Sequence, residues 1–180
     1  MTTPSVVITL VLLLTSKAHA DDVVVRAVEL TAFGTFADYG KQFERGYSES
    51  GPGTESLEYV RFADITNQIP GTLGTNFGIQ YIIHSTPKGR PFRVTGVILY
   101  PGNGLVTPDG HVYQSSQESM EIKIGEKSFY GFGFDHPWEI VPGDWKFQIR
   151  RGEAILAQKT LTVLAPDQAL LTNPVVETGR

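Results

Sequence analysis

Apolar and polar residues alternate along short runs of this chain, and glycines and prolines separate the runs. Successive side chains of a β-strand point to opposite faces, so this alternation is typical of strands with one buried face. The segment 76–84, for example, places Phe77, Ile79, Tyr81 and Ile83 on one face. Eight segments are predicted to be strands: 22–33, 55–66, 76–84, 92–100, 111–124, 129–135, 145–150 and 155–163.

The distribution of turn residues supports an all-β fold. The chain has 19 Gly and 11 Pro, spread over its whole length, and no segment after residue 20 shows a helical period. Two packed antiparallel sheets bury many half-apolar strands economically. The pattern therefore predicts an antiparallel β-sandwich of about seven or eight strands.

The sequence leaves the conformation of two connections between strands undecided. Residues 151–153 indicate a tight hairpin, in which a three-residue loop keeps Ile155 in phase with the later apolar positions. A two-residue loop instead sets Leu156 opposite Ile149 and requires a bulge. The stretch 38–54 contains several glycines and is either a long loop or an irregular hairpin.

The first twenty residues have the pattern of an export signal. An apolar run at 6–14, interrupted by Thr9, is too short to cross a bilayer as a helix but suits a signal peptide. Ala18-His19-Ala20 then supplies the small-x-small cleavage pattern. We therefore expect a signal peptide at 1–20, a sandwich domain at 21–164, a flexible tail at 165–180, and a periplasmic or secreted location.

The charge balance excludes some partners. Without Lys17 in the signal, 14 Lys and Arg face 19 Asp and Glu. A mildly acidic domain lacks the phosphate-neutralising charge that nucleic-acid binding requires, so no nucleic-acid partner is expected. No membrane span is expected after signal cleavage.

The chemistry-bearing residues form no recognisable catalytic motif. The chain has no Cys, and His84, His111 and His136 lie in separate segments without a short metal-ligand spacing. No Ser has the glycine spacing of a nucleophile elbow. Four acids are candidates for a carboxylate pair, although no spacing singles them out: Glu118, Glu121, Glu139 and Asp144. The sequence thus predicts no catalytic residue, no metal site and no cofactor, and it favours a non-enzyme.

The segment 128–138 is rich in aromatic residues. Tyr130, Phe132 and Phe134 share one face of the predicted strand, while the glycines between them leave the other face nearly bare. One reading is a core strand with Phe132 and Phe134 buried and the Tyr130 hydroxyl at the sandwich edge. The other reading is a binding platform, for which the candidates are Tyr130, His136 and Trp138.

A set of short motifs resembles a known family. They include Phe33-Gly34-Thr35-Phe36, Phe77-Gly78-Ile79, Tyr100-Pro101, and Gly143-Asp144-Trp145-Lys146-Phe147-Gln148-Ile149 with Leu161-Thr162-Val163. Together they resemble an uncharacterised family of bacterial exported domains of unknown function, over about residues 25–164. The resemblance implies an immunoglobulin-like sandwich and brings no catalytic residue.

These observations favour a binding or interaction module of the periplasm or cell envelope, whose partner is an envelope protein, a peptide or a glycan. One alternative is a hydrolase or metal-dependent enzyme that uses the scattered His and acidic residues. A second is a structural or chaperone-like module that pairs through a sheet edge.

Export gives a direct prediction. If residues 1–20 are removed at the small-x-small site, the protein recovered from its native host begins at Asp21. N-terminal sequencing or intact mass measures this, and recovery of the chain with Met1 retained would contradict it.

Overall fold

A computed structural model describes residues 24–38, 47–48, 51–52 and 60–165. The described elements are thirteen strands and one short 3-10 helix: β1 (Ala27–Asp38), β2 (Tyr47–Ser48), β3 (Gly51–Pro52), β4 (Val60–Ile65), β5 (Gln68–Ile69), β6 (Asn76–His84), β7 (Pro91–Leu99), β8 (Leu105–Val106), β9 (Val112–Tyr113), β10 (Ser115–Lys123), β11 (Lys127–Gly133), η1 (Pro137–Glu139), β12 (Gly143–Arg151) and β13 (Ala154–Val163). Among these residues, no helix is long and apolar enough to span a membrane.

Two sheets pack face to face. One has four strands in the order β11-β6-β1-β4, and the other has five in the order β10-β7-β12-β13-β5. All long strands pair antiparallel, and only the two-residue β5 runs parallel to its neighbour β13. Two minor pairs, β2 with β3 and β8 with β9, stand apart from these sheets.

The strand order is that of an immunoglobulin-like domain. In such domains the strands A, B and E share one sheet, while C, F and G share the other and C′ extends it beside C. Here β1, β6 and β11 take the places of A, B and E, and β7, β12 and β13 those of C, F and G. Strand β10 occupies the C′ position beside β7. The expected immunoglobulin-like antiparallel sandwich is confirmed.

The observed strands follow the alternation closely, with two informative differences. Strand β1 continues to Asp38, beyond the predicted end at Phe33. The alternation did not indicate this extension, because register shifts after Leu30 and after Thr35 interrupt the period of two. The stretch predicted as one strand at 111–124 divides into β9 and β10, which belong to different sheets.

Some expectations concern residues that the structure does not describe. The signal peptide at 1–20 and the tail after residue 165 lie outside the described ranges. Within 38–54, Tyr47–Ser48 pairs antiparallel with Gly51–Pro52.

The core is centred on Trp145 of β12. Its side chain is 0% exposed, and four aromatic rings surround it, with centroids 4.9 to 5.7 Å away: Phe77, Tyr100, Phe132 and Phe134. Mostly edge-on or tilted geometries allow these rings to fill the space between the sheets. The indole Nε1–H donates to the Val141 carbonyl at 2.9 Å, which satisfies the one polar group of the side chain.

The closing hairpin uses a two-residue loop with a bulge. Arg151 pairs with Ala154 around Gly152 and Glu153, and the positive φ of Gly152 fits the first central position of a type II′ turn. Ile149 pairs with Ala157 and the next residue, Arg150, with Ile155, so Leu156 is the extra residue of a bulge. The structure thus has the two-residue loop and a bulge, but the expected pairing of Leu156 with Ile149 is wrong, because the bulge falls at Leu156 itself and sets Ala157 opposite Ile149.

The position of Trp145 makes a stability prediction. Trp145→Ala removes the largest fully buried side chain and should lower the free energy of unfolding by about 3–5 kcal/mol. Chemical denaturation measures the change. The matched control is Ile155→Ala, because Ile155 is 52% exposed, and a loss below about 1 kcal/mol for Trp145→Ala would contradict the core assignment.

Candidate functional site

The connection between β7 and β10 carries a small rigid hairpin. Leu105 of β8 is 0% exposed and anchors this hairpin to the core. Its turn is closed by the Thr107 N–H, which donates to the His111 carbonyl at 2.9 Å, and by the Gly110 N–H, which donates to the Thr107 carbonyl at 2.9 Å. The His111 N–H also donates to Thr107 Oγ1 at 3.0 Å. A type I turn followed by a left-handed glycine accounts for this geometry, since Gly110 has a φ of +85°.

The connection between β11 and β12 holds its shape through a buried carboxylate. Glu139 is 1% exposed, and its Oε2 accepts the N–H groups of Asp135 at 2.7 Å and His136 at 2.8 Å. The adjoining Trp138 is half-buried and packs against the core. The imidazole of His136 lies parallel to the Trp138 indole, with an interplanar angle of 9° and centroids 5.8 Å apart.

These two connections meet at one end of the sandwich and border an open pocket of about 480 Å³, which we call the loop pocket. It is lined by Thr107, Pro108, Asp109, His111, Tyr113 and Trp138. Within it, the rings of His111 and Tyr113 lie 4.3 Å apart between centroids. Its volume falls within the roughly 300–1,000 Å³ of small-molecule sites, and its lining combines aromatic surface with a few polar groups.

The carboxylate of Asp109 supplies the loop pocket with hydrogen-bond acceptors. The hydroxyl of Thr107 donates to Oδ1 of Asp109. This bond, together with backbone N–H donors at Asp109 and His111, holds the pKa of Asp109 below its usual value. Asp109 is therefore ionised at neutral pH and offers only acceptors to a ligand.

The structure separates the three predicted binding residues. His136 and Trp138 lie together beside the loop pocket. Tyr130 is only 1% exposed and lies in the core, where a Cβ built on Gly96 of the facing sheet would stand 2.6 Å from its Cζ. Tyr130 therefore shares no surface with the other two.

The prediction that the aromatic segment is a core strand is confirmed for the rings of Phe132 and Phe134 and is wrong for the hydroxyl of Tyr130. Phe132 and Phe134 are 2% and 0% exposed. The hydroxyl of Tyr130, expected at the sandwich edge, is instead buried. Because Gly96 has no side chain, it leaves room for the whole Tyr130 ring to cross toward the opposite sheet.

The other face of β11 is also covered, contrary to the expectation of a nearly bare surface. Phe129 lies over Gly131, where an added Cβ would stand 2.4 Å from its Cζ. Its ring packs edge-on against Phe36 at 4.7 Å and against Phe62 at 6.1 Å. Glycine at position 131 thus allows close packing of an outer aromatic cluster.

The remaining candidates lie apart from the loop pocket. His84 Nε2 is 2.9 Å from Glu29 Oε2, on the strand pair β6–β1. No group of three or more His, Cys, Asp or Glu that could hold a metal ion occurs among residues 24–38 and 60–165. His111 and His136 come from separate segments; His111 lines the loop pocket together with Trp138, and the imidazole of His136 stacks on the Trp138 indole.

Four residues of the loop pocket escaped the sequence analysis: Thr107, Pro108, Asp109 and Tyr113. The signal that could have indicated them is Thr107-Pro108-Asp109-Gly110, because Pro and Gly at these offsets mark a tight turn that projects its polar side chains. Nothing in the spacing says that this turn lies beside residue 138, since the two connections belong to different strand pairs.

An immunoglobulin-like β-sandwich with a mixed aromatic and polar pocket between two loops is the class of protein that this geometry defines. The chain belongs to the family described as Domain of unknown function (DUF3859), whose model matches residues 24–163. It is also similar to a solved immunoglobulin-like protein from Pseudomonas aeruginosa, with 24% sequence identity and a TM-score of 0.48, over 76% of this chain and 96% of that chain. No curated protein matches it.

The edge strand β10 carries a carboxylate on its inner face. Glu118 pairs with Gly96, and its neighbours of the same parity, Ser116 and Ile122, are buried. Burial raises the pKa of Glu118. The pKa of Tyr81 is also raised, mainly by burial and to a lesser extent by the negative charge of Glu118. The ionised form of Glu118 is thus disfavoured in the folded protein.

This environment predicts a pH-dependent stability. A carboxyl group whose pKa is higher in the folded protein than in the unfolded chain makes its full contribution to stability at pH values below the unfolded pKa, near 4.5. That contribution is lost as the pH rises through the folded pKa. Glu118→Gln should therefore be more stable than the parent at neutral pH and should show a flatter dependence above pH 4.5. Chemical denaturation across this range measures both effects.

The control for this experiment is Glu121→Gln, which removes one charge from the exposed face of the same strand. Equal pH slopes for the parent and Glu118→Gln would contradict the assignment.

Proposed function

We propose that this protein is a non-enzymatic binding module of the bacterial periplasm or cell envelope, and that its ligand occupies the loop pocket. The observation that carries this proposal is the convergence of two unrelated connections on one pocket of about 480 Å³. Each connection is anchored separately, one by Leu105 in the core and the other by the buried carboxylate of Glu139. Binding residues are often found on loops that a rigid scaffold holds in this way.

The chemistry of the pocket favours binding over catalysis. Tyr113 and Trp138 supply it with aromatic surface, which suits recognition of a ligand through contact area. The imidazoles of His111 and His136 each pack with an aromatic ring, an arrangement that adds ring surface for contact with a ligand. A hydrolase or metal-dependent enzyme therefore receives less support than a binding module.

The location is part of the same proposal. The apolar run at 6–14 and the cleavage pattern at 18–20 support export. A domain without Cys needs no disulfide and is held by its core alone, which suits the aromatic packing around Trp145.

Pairing through a sheet edge receives less support. The β10 edge carries Glu118 on its inner face, and an inward-pointing charge is a recognised obstacle to the addition of a further strand. On the far side of β13, β5 pairs with Thr162 and Val163, and the bulge at Leu156 interrupts the remainder of that edge.

The test is binding of the exported protein to envelope fractions of its own bacterium. Fluorescently labelled protein is sedimented with outer-membrane, inner-membrane and cell-wall fractions. Trp138→Ala removes the main aromatic surface of the pocket and should reduce the retained fraction about tenfold, the change that 1.4 kcal/mol produces.

Ile155→Ala is the matched control, because it removes a 52% exposed apolar side chain next to the opposite end of the sandwich. Circular dichroism and a thermal melt establish that both variants are folded. Equal retention of the parent and a folded Trp138→Ala variant would overturn the proposal.

A further inference from the structure

The loop pocket places aromatic surface and hydrogen-bonding groups side by side. Trp138 and Tyr113 supply ring surface, while Thr107, Asp109 and His111 supply polar groups from a single tight turn. A sugar ring has the complementary arrangement, because its two faces carry C–H groups and its edge carries hydroxyls. From this match we infer that the loop pocket binds a neutral saccharide, an inference that rests on the proposed binding function.

The aromatic part of the pocket is held in place before a ligand arrives. The Glu139 carboxylate accepts both N–H groups at the start of the η1 turn, at 2.7 and 2.8 Å. Trp138 follows directly in that turn, is half-buried against the core and lies parallel to His136. A ring whose orientation is already set loses little conformational entropy when a sugar face stacks on it.

The polar part selects hydrogen-bond donors. The Asp109 carboxylate is fully at the surface, and its pKa is lowered chiefly by the Thr107 hydroxyl. Oδ1 accepts the Thr107 hydroxyl, and because a carboxylate has about four acceptor positions, it can also accept a hydrogen bond from a ligand. Sugar hydroxyls are donors of the required kind, and hydrogen bonds to an ionised acceptor are among the stronger ones.

Charge restricts the saccharide to a neutral one. The chain has a net charge of −4, and the lining of the loop pocket includes Asp109 but no Lys or Arg among the described residues. A uronic acid or sulfated sugar would place a like charge beside Asp109 with no Lys or Arg of the pocket lining to pair with it. Like charges in contact disfavour such a complex.

The intrinsic fluorescence of the protein offers a specific measurement. The chain has two tryptophans, and Trp145 is 0% exposed, so an added ligand changes the emission of Trp138. The exported protein is titrated with three neutral hexasaccharides, namely cellohexaose, maltohexaose and chitohexaose, and with the anionic hexamer of galacturonic acid. Calorimetry repeats each titration with the variants that lack Trp138.

We expect saturable binding of at least one neutral hexasaccharide and binding of the anionic hexamer at least about tenfold weaker. Trp138→Ala should weaken the neutral complex about tenfold, Trp138→Phe should retain part of the affinity, and Ile155→Ala should leave it unchanged. Tyr113→Ala is the second test, should Trp138→Ala fail to fold. Asp109→Asn should narrow the gap between the neutral and anionic hexamers, because it removes the repelling charge.

The outcomes separate this inference from the proposed function. Retention on envelope fractions that depends on Trp138 but is abolished by protease, and withstands removal of glycans, would mean that the ligand is a protein and that the saccharide inference is wrong. Equal or tighter binding of the anionic hexamer would also overturn it. Retention that does not depend on Trp138 would overturn the proposed function itself.

Discussion

The indole of Trp145 connects three parts of the molecule that the chain brings in from different directions. Its ring packs against Phe77 and Phe132 of the facing sheet at 5.4 and 5.1 Å. Its N–H reaches the Val141 carbonyl, in the connection that also carries Trp138. Because the side chain is fully buried, this hydrogen bond satisfies a donor that would otherwise be costly to bury. Trp145 therefore contributes both to the spacing of the two sheets and to the position of the loop above them.

The candidate site depends on that core without belonging to it. Leu105 and Glu139 are both buried, and each holds a loop whose outer residues face the loop pocket. An apolar anchor stabilises one loop through burial, while the carboxylate stabilises the other through two hydrogen bonds to backbone N–H groups. In this arrangement the residues that line the loop pocket can change while the sandwich below keeps its packing.

Several features of the fold followed from local patterns. The alternation in 76–84 correctly predicted which residues of β6 face the core, since Phe77, Ile79, Tyr81 and Ile83 are all 0% exposed. It failed where the backbone departs from a regular strand. The register shifts in β1 move Phe36 to an outer cluster with Phe62 and Phe129, and a period of two carries no information across such a shift.

The sequence by itself determined the all-β class, the main strands and the burial of Phe132 and Phe134, because strand periodicity and turn residues are local properties. Tertiary structure decided how residues distant in the chain meet. It buried the Tyr130 hydroxyl, because Gly96 on the facing sheet leaves the space. It also brought the turn at 107–111 next to Trp138. Such contacts depend on sheet order and on the separation of the sheets, which the local alternation of side chains does not encode.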